Sequence, residues 1–228
     1  MRNFNYHPHP PFCDVACPYC EEFDRGYHLF KGENLGNRIL HESDNFVVFP
    51  SLGQIVEGYL LIASKNHLVG LSDISELHFC ELECVIEEVR KVLAKNYSEP
   101  IFFEHGPVNG NKGGCCVNHA HLHAVPAKVS ISDYLIRIGL EPNPLHDLLM
   151  LRFQSKIDKE YFYVDDSSGR LVFDNLRDAL GYPESQYLRK VLAAQLGVPE
   201  KWDWRVYPGI EELQRTKIKL ADKFNSSL

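Results

Sequence analysis

Several things are missing from this chain of 228 residues. It has no apolar run approaching the ~20 residues of a membrane-spanning helix, so no membrane partner is expected. The opening stretch, Met1 to Phe12, is rich in proline and histidine and lacks the apolar core of a secretory leader. An irregular arm is expected there, and terminal disorder is favoured over a metal contact by His7 and His9. Positive charge is also short: 24 Lys and Arg stand against 31 Asp and Glu, a net charge of −7. A protein that coats a nucleic-acid polymer needs the opposite balance, so no such polymer is expected as a partner. A small phosphorylated molecule remains admissible, because a few local N–H groups and histidines suffice to bind one. The seven cysteines do not pair off, and their spacing is not that of a disulfide framework. They suit a reducing, cytoplasmic setting in which cysteines are ligands or core residues. No internal repeat or long linker divides the chain. Its 44% hydrophobic content is enough for a substantial core.

What the chain does have is concentrated in His119-Ala-His121-Leu-His123-Ala-Val-Pro126. In a strand, residues two apart share a face. The three imidazoles would then line one surface, with Ala120, Leu122 and Ala124 turned to the core. Ahead of them runs a loop, Asn109 to Cys116, whose glycines let backbone N–H groups close on an anion. Imidazoles beside such a cradle suggest phosphate chemistry. A strand of metal ligands is the rival reading, since histidine is a common ligand. Upstream, Cys17-x-x-Cys20 is half of a tetrahedral zinc site or a pair of buried cysteines; the spacing alone leaves both open.

Secondary structure follows from pattern. Short strands are expected at 45–50, 58–63 and 101–105, and a loop or short irregular helix over 21–44. The clearest helix is Ser72–Asn96, with Leu77, Cys80, Cys84, Val85, Val89, Val92 and Leu93 as its buried stripe. Beyond residue 127 the pattern gives a helical segment over 130–160, a hairpin at 161–173, a helix at 185–196 and a last charged helix from Ile210. Gln186, Arg189 and Lys190 lie on one turn and are either phosphate contacts or a solvated face, with the solvated face favoured. Glu104 and His105 end a strand and either edge a loop or support the site.

The residues from Asn109 to Pro126, with Cys17 to Cys20 and 45–67, resemble the histidine triad (HIT) superfamily of nucleotide hydrolases and transferases. The resemblance covers roughly the first 130 residues. It implies an α+β fold, a HIT-like antiparallel sheet with a long packed helix, and a catalytic domain over 1–128. Residues 129–228 would be a C-terminal α/β extension packed on it. It implies a structural zinc held by Cys17, Cys20, His67 and His119, with Cys13 a spare thiol. It makes His121 the nucleophile and His123 its partner at the leaving group. Asn109, Gly114, Cys115, Cys116 and Val117 become substrate contacts.

Two departures stand out. Ser51 takes the place of the family's ribose-binding aspartate, and Cys116 that of a phosphate-contacting serine. Cys116 as nucleophile, with His121 as base, is the lesser alternative. The implied activity is hydrolysis of a nucleoside phosphoramidate or dinucleoside polyphosphate through a nucleotidyl-histidine. A nucleotide-sensing module with little turnover and a zinc-dependent metallohydrolase are the rival functions. Homodimers are common in the family, and a homodimer is one expected assembly.

Overall fold

The computed structural model describes residues 17–106, 117–157, 159–181 and 183–224. Helix α1 (Pro18–Arg25) opens it, followed by a small ribbon of β1 (Leu29–Phe30) and β2 (Glu33–Asn34). Next come β3 (His41–Glu42), β4 (Phe46–Pro50) and β5 (Leu60–Ser64), then α2 (Phe79–Asn96), β6 (Pro100–Gly106) and β7 (His121–Pro126). The remainder comprises α3 (Ile131–Arg137), β8 (Asn143–Pro144), α4 (Arg152–Lys156), β9 (Tyr161–Asp166), β10 (Gly169–Phe173), α5 (Leu176–Leu180), α6 (Tyr187–Gln195) and α7 (Ile210–Leu220). The expected loop or short irregular helix over 21–44 overlaps α1 only at 21–25, and the start of α1 at Pro18 was not anticipated, although its signals are present. Pro18 occupies the first turn, where its missing N–H costs nothing. Gly26, at φ +72°, closes the helix and donates to the Glu22 carbonyl.

Eight strands form one antiparallel sheet in the order β3-β4-β5-β7-β6-β9-β10-β8. The sheet runs across the expected domain boundary: β6 pairs with β9, Phe103 opposite Val164. Strand alternation creates two buried faces. Phe46, Val48, Leu60, Ile62, Ala120, Leu122 and Ala124 meet α2 on one side. Val47, Phe49, Leu61, Phe103 and Val164 face the other, where Tyr19 and the α6 residues Leu188, Val191 and Leu192 cover them. A strand buried on both faces reads as a nearly continuous apolar run, as Phe46-Val-Val-Phe49 does.

The long helix starts later than its sequence pattern suggests. Leu71–Asp73 and Glu76–His78 are single 3₁₀ turns, and α2 begins at Phe79. Leu77 is therefore out of phase and 85% exposed. Cys80 and Cys84 are exposed too, not buried. Each lies two residues from the fully buried Leu82, about 200° around the helix. No described helix is long and apolar enough to cross a membrane.

Candidate active site and metal centre

The triad face carries two adjoining groups. At one end, α1 brings Cys17 and Cys20 under the chain leading into β7, and the residues after β5 bring His67 to the same place. Four donor atoms, from Cys17, Cys20, His67 and His119, fall within 4.8 Å of one another. Cys17 Sγ lies 3.3 Å and Cys20 Sγ 3.6 Å from His119 Nδ1; Cys20 Sγ lies 3.4 Å from His67 Nδ1. Zinc bound tetrahedrally at about 2.3 Å to sulfur and 2.0–2.1 Å to nitrogen would set S···N edges of about 3.5 Å. The donor set and spacing thus fit a metal ion. The other nitrogen of His119 donates to the Ser64 carbonyl at 2.7 Å, the kind of outer contact that fixes a ligand's tautomer. The Cys17 thiol is held well below its usual range, first by its hydrogen bond with Cys20 and then by His119, against the effect of burial.

Two residues on, the geometry inverts. His121 Nδ1 donates to the His119 carbonyl at 2.5 Å, so Nε2 is the nitrogen left for a ligand. Burial pushes the His121 pKa down to about 4. Burial also holds His123 well below the usual histidine range, with His121 and Arg189 adding to the effect. Both rings are therefore neutral near pH 7. The Tyr59 hydroxyl meets His123 Nδ1 at 2.8 Å, and Phe103 stacks on the ring with centroids 4.6 Å apart. The His121 and His123 rings are 4.8 Å apart. Tyr19 sets its ring edgewise to both His119 and His121, linking the two groups.

His121 and His123 open into a cavity of about 380 Å³, which Ser51 and Val117 also line. The Ser51 hydroxyl donates to the Leu52 carbonyl at 2.7 Å, so its proton is already engaged. Asn109, Gly114, Cys115, Cys116 and Cys13 lie outside the described residues. Behind Arg38 and His28, which line one wall, lies a buried ion pair that sequence reasoning missed: Glu22 accepts from Arg38 through both oxygens, at 2.6 and 2.7 Å, and from His28 at 2.8 Å. Burial works against the Glu22 charge, but Arg38 and His28 outweigh it and hold the carboxyl at about 2.

A model of the HIT domain family matches residues 33–129. That segment is thus similar to the HIT domain. Over 200 residues the chain is 27% identical to Zinc finger CCCH domain-containing protein 64 of Arabidopsis thaliana, a match covering 82% of this chain and 32% of that protein. The chain thus spans about a third of that relative's length. Among solved structures it is similar to a hypothetical histidine triad nucleotide-binding protein from Sulfolobus tokodaii, at 15% identity and TM-score 0.39, covering 74% of this chain and 99% of that one. It is also similar to a zinc-bound histidine triad family protein from Mycobacterium smegmatis, at 17% identity and TM-score 0.38, covering 62% and 94% of the two chains.

The segment that matches the HIT family model does not enclose the cavity by itself. Gln186, Tyr187, Leu188, Arg189, Trp204 and Arg205, all from beyond residue 129, complete the wall. Of the three polar residues on that turn, Arg189 is buried, while Lys190 turns away to pair with Glu184 and to cover the Trp202 ring. Glu104 belongs elsewhere. Its side chain faces the α2 side of the sheet, where it accepts from the Leu71 N–H and the Tyr161 hydroxyl, and burial pushes its pKa up to about 8. His105 lines the cavity and bonds Glu160 at 2.7 Å.

Proposed function

We propose that the protein is a nucleotide hydrolase that attacks the α-phosphorus of a nucleoside phosphoramidate or dinucleoside polyphosphate with His121. The carrying observation is the bond from His121 Nδ1 to the His119 carbonyl, which keeps the proton on Nδ1 and the lone pair on Nε2. In the first step a bond forms between Nε2 and phosphorus while the bond to the leaving group breaks. The positive charge gained by the ring is stabilised by the same carbonyl. With the Tyr59 hydroxyl donating to His123 Nδ1, the His123 proton sits on Nε2 and donates a hydrogen bond to the leaving oxygen or nitrogen; a nucleotide leaving group departs with the bonding electron pair as an anion, and an amine takes its proton from solvent. Water then attacks phosphorus, the P–N bond breaks, and a nucleoside monophosphate leaves. Splitting one difficult displacement into two is the advantage of a covalent route.

In this reading Cys17, Cys20, His67 and His119 hold a structural zinc. Two thiolates and two imidazoles make a closed site, which braces the strand end that presents His121. The test is intact-protein mass spectrometry after a brief acid-free quench with adenosine and guanosine phosphoramidates. A nucleotidyl adduct in the wild type and none in His121→Ala is expected. An adduct that persists in His121→Ala would overturn the assignment.

A binding module with little turnover is the second reading. It is favoured by Ser51, whose engaged hydroxyl offers no charge to a ribose diol. His121→Asn separates the two: an enzyme loses turnover and keeps its ligand, whereas a binder's output is unchanged.

A further inference from the structure

Arg189 presents a charge without a counter-charge. The residue is only 5% exposed. Its Nη2 donates to the Gly53 carbonyl at 2.7 Å and its Nε to the Trp202 carbonyl at 3.0 Å. Its guanidinium lies over the Tyr59 ring, 5.1 Å from the centroid. Among the described residues no carboxylate pairs with it, and neutral carbonyls satisfy donors without cancelling a charge. Other arginines of this acidic chain do have acidic partners: Arg38 with Glu22, Arg90 with Asp165, Arg170 with Glu83 and Arg215 with Glu57. Buried charges are normally paired, because removing one from water costs several kcal/mol.

The surroundings of Arg189 point the same way. It lines the cavity that His121 and His123 share, and no described aspartate or glutamate lines that cavity, whereas Lys31, Arg38 and Arg205 do. The seat of the guanidinium is built to order. Gly53 has φ +71°, and a Cβ there would come within 2.5 Å of Arg189 Nη2 and 2.4 Å of Trp204 Cβ. The same loop is clasped again by the Gly53 N–H to the Pro208 carbonyl at 2.7 Å. The structure thus seats an arginine in the triad's cavity on two main-chain carbonyls and the Tyr59 side chain, with no acidic partner among the described residues.

We infer that Arg189 is the cation of a phosphate-binding subsite, so that the segment beyond residue 129 supplies the charge that holds substrate phosphate beside His121 and His123. This rests on, and deepens, the reading of the cavity as a phosphate-ester site. The ligand class is a phosphate or pyrophosphate group, recognised by the remaining guanidinium N–H donors and by charge.

The test is calorimetric titration of the full chain with inorganic pyrophosphate. The wild type should bind, Arg189→Gln should bind at least about tenfold more weakly, and Arg189→Lys should fall within a few fold of wild type. Equal binding by Arg189→Gln, or no binding by the wild type, would overturn the inference. Should Arg189→Gln fail to fold, the wild type carries the test: saturating pyrophosphate should move the Arg189 Nε resonance in nitrogen NMR, and an unmoved resonance sinks the idea. Arg189-dependent pyrophosphate binding with no adduct on His121 would remove the proposed hydrolase activity and leave this subsite standing.

Discussion

His119 and His121 are two residues apart on one face of one strand end, yet they use their rings in opposite senses. His119 gives Nε2 to a carbonyl and turns Nδ1 to two sulfurs. His121 gives Nδ1 to a carbonyl and leaves Nε2 for the cavity. In each ring a backbone oxygen decides which nitrogen carries the proton, and the other nitrogen does the work. Identical side chains thus become a candidate metal ligand and a candidate nucleophile through the position of one acceptor. The His119 carbonyl joins them, because the residue that faces the metal cluster also orients its neighbour.

The sharpest break in that comparison is His121→Asn. Turnover of a phosphoramidate should fall by about 10⁴-fold or more, while zinc content by elemental analysis stays at the wild-type level. If zinc is lost as well, the two histidines are not separate in function. Next in size is Cys20→Ser, which should abolish stoichiometric zinc and lower stability by several kcal/mol, read as a lower melting temperature. His123→Ala should keep its zinc, and loss of metal there would favour a metallohydrolase using the triad as ligands.

Glu104→Gln tests whether the opposite face of the sheet stands apart from both histidines. The Glu104 carboxyl is raised from its ordinary value to about 8 by burial. The protonated form is favoured in the folded chain, so its contribution is present below about pH 4.5 and is lost as pH climbs toward 8. The variant should therefore flatten the fall in stability over that window, with a gain on the order of a few kcal/mol at pH 9 relative to pH 4. Zinc content and turnover should not move. An unchanged pH profile of denaturant midpoints would show that Glu104 does not titrate in this way.

The smallest effect belongs to Tyr59→Phe. Losing the hydroxyl at His123 Nδ1 should slow turnover by about tenfold, the cost of one ordinary hydrogen bond, and leave ligand affinity nearly unchanged. A rate equal to wild type would mean that His123 needs no orienting partner.

Much of this was legible in the chain. Alternation around His119, His121 and His123 put the imidazoles on one face and Ala120, Leu122 and Ala124 on the other, where they pack against the α2 side. That needs only the period of a strand. The four candidate ligands came from the family resemblance, and the fold brings them together. Other features were not legible, for physical reasons. Helix α1 is short and broken by polar residues, so its periodicity is weak beside its Pro18 and Gly26 boundary signals. The phase of α2 depends on where its first full turn begins, and two 3₁₀ turns shift that start enough to bring Cys80 and Cys84 to the surface. Glu22, Arg38 and Tyr59 are far apart in sequence and carry no motif.

By itself the amino-acid sequence determined the chemistry available to this protein: three alternating imidazoles, a thiol pair, a glycine-rich loop and a net charge of −7. These depend on residue type and on spacing within a single element, where strand and helix geometry are the same in every protein. Only the tertiary structure decided which nitrogen each histidine uses, which wall encloses the cavity, and that Arg189, 68 positions beyond His121 in sequence, stands beside the triad. Those outcomes depend on which carbonyl or charge another part of the chain delivers to within a few ångströms, and that is set by the packing of the whole sheet.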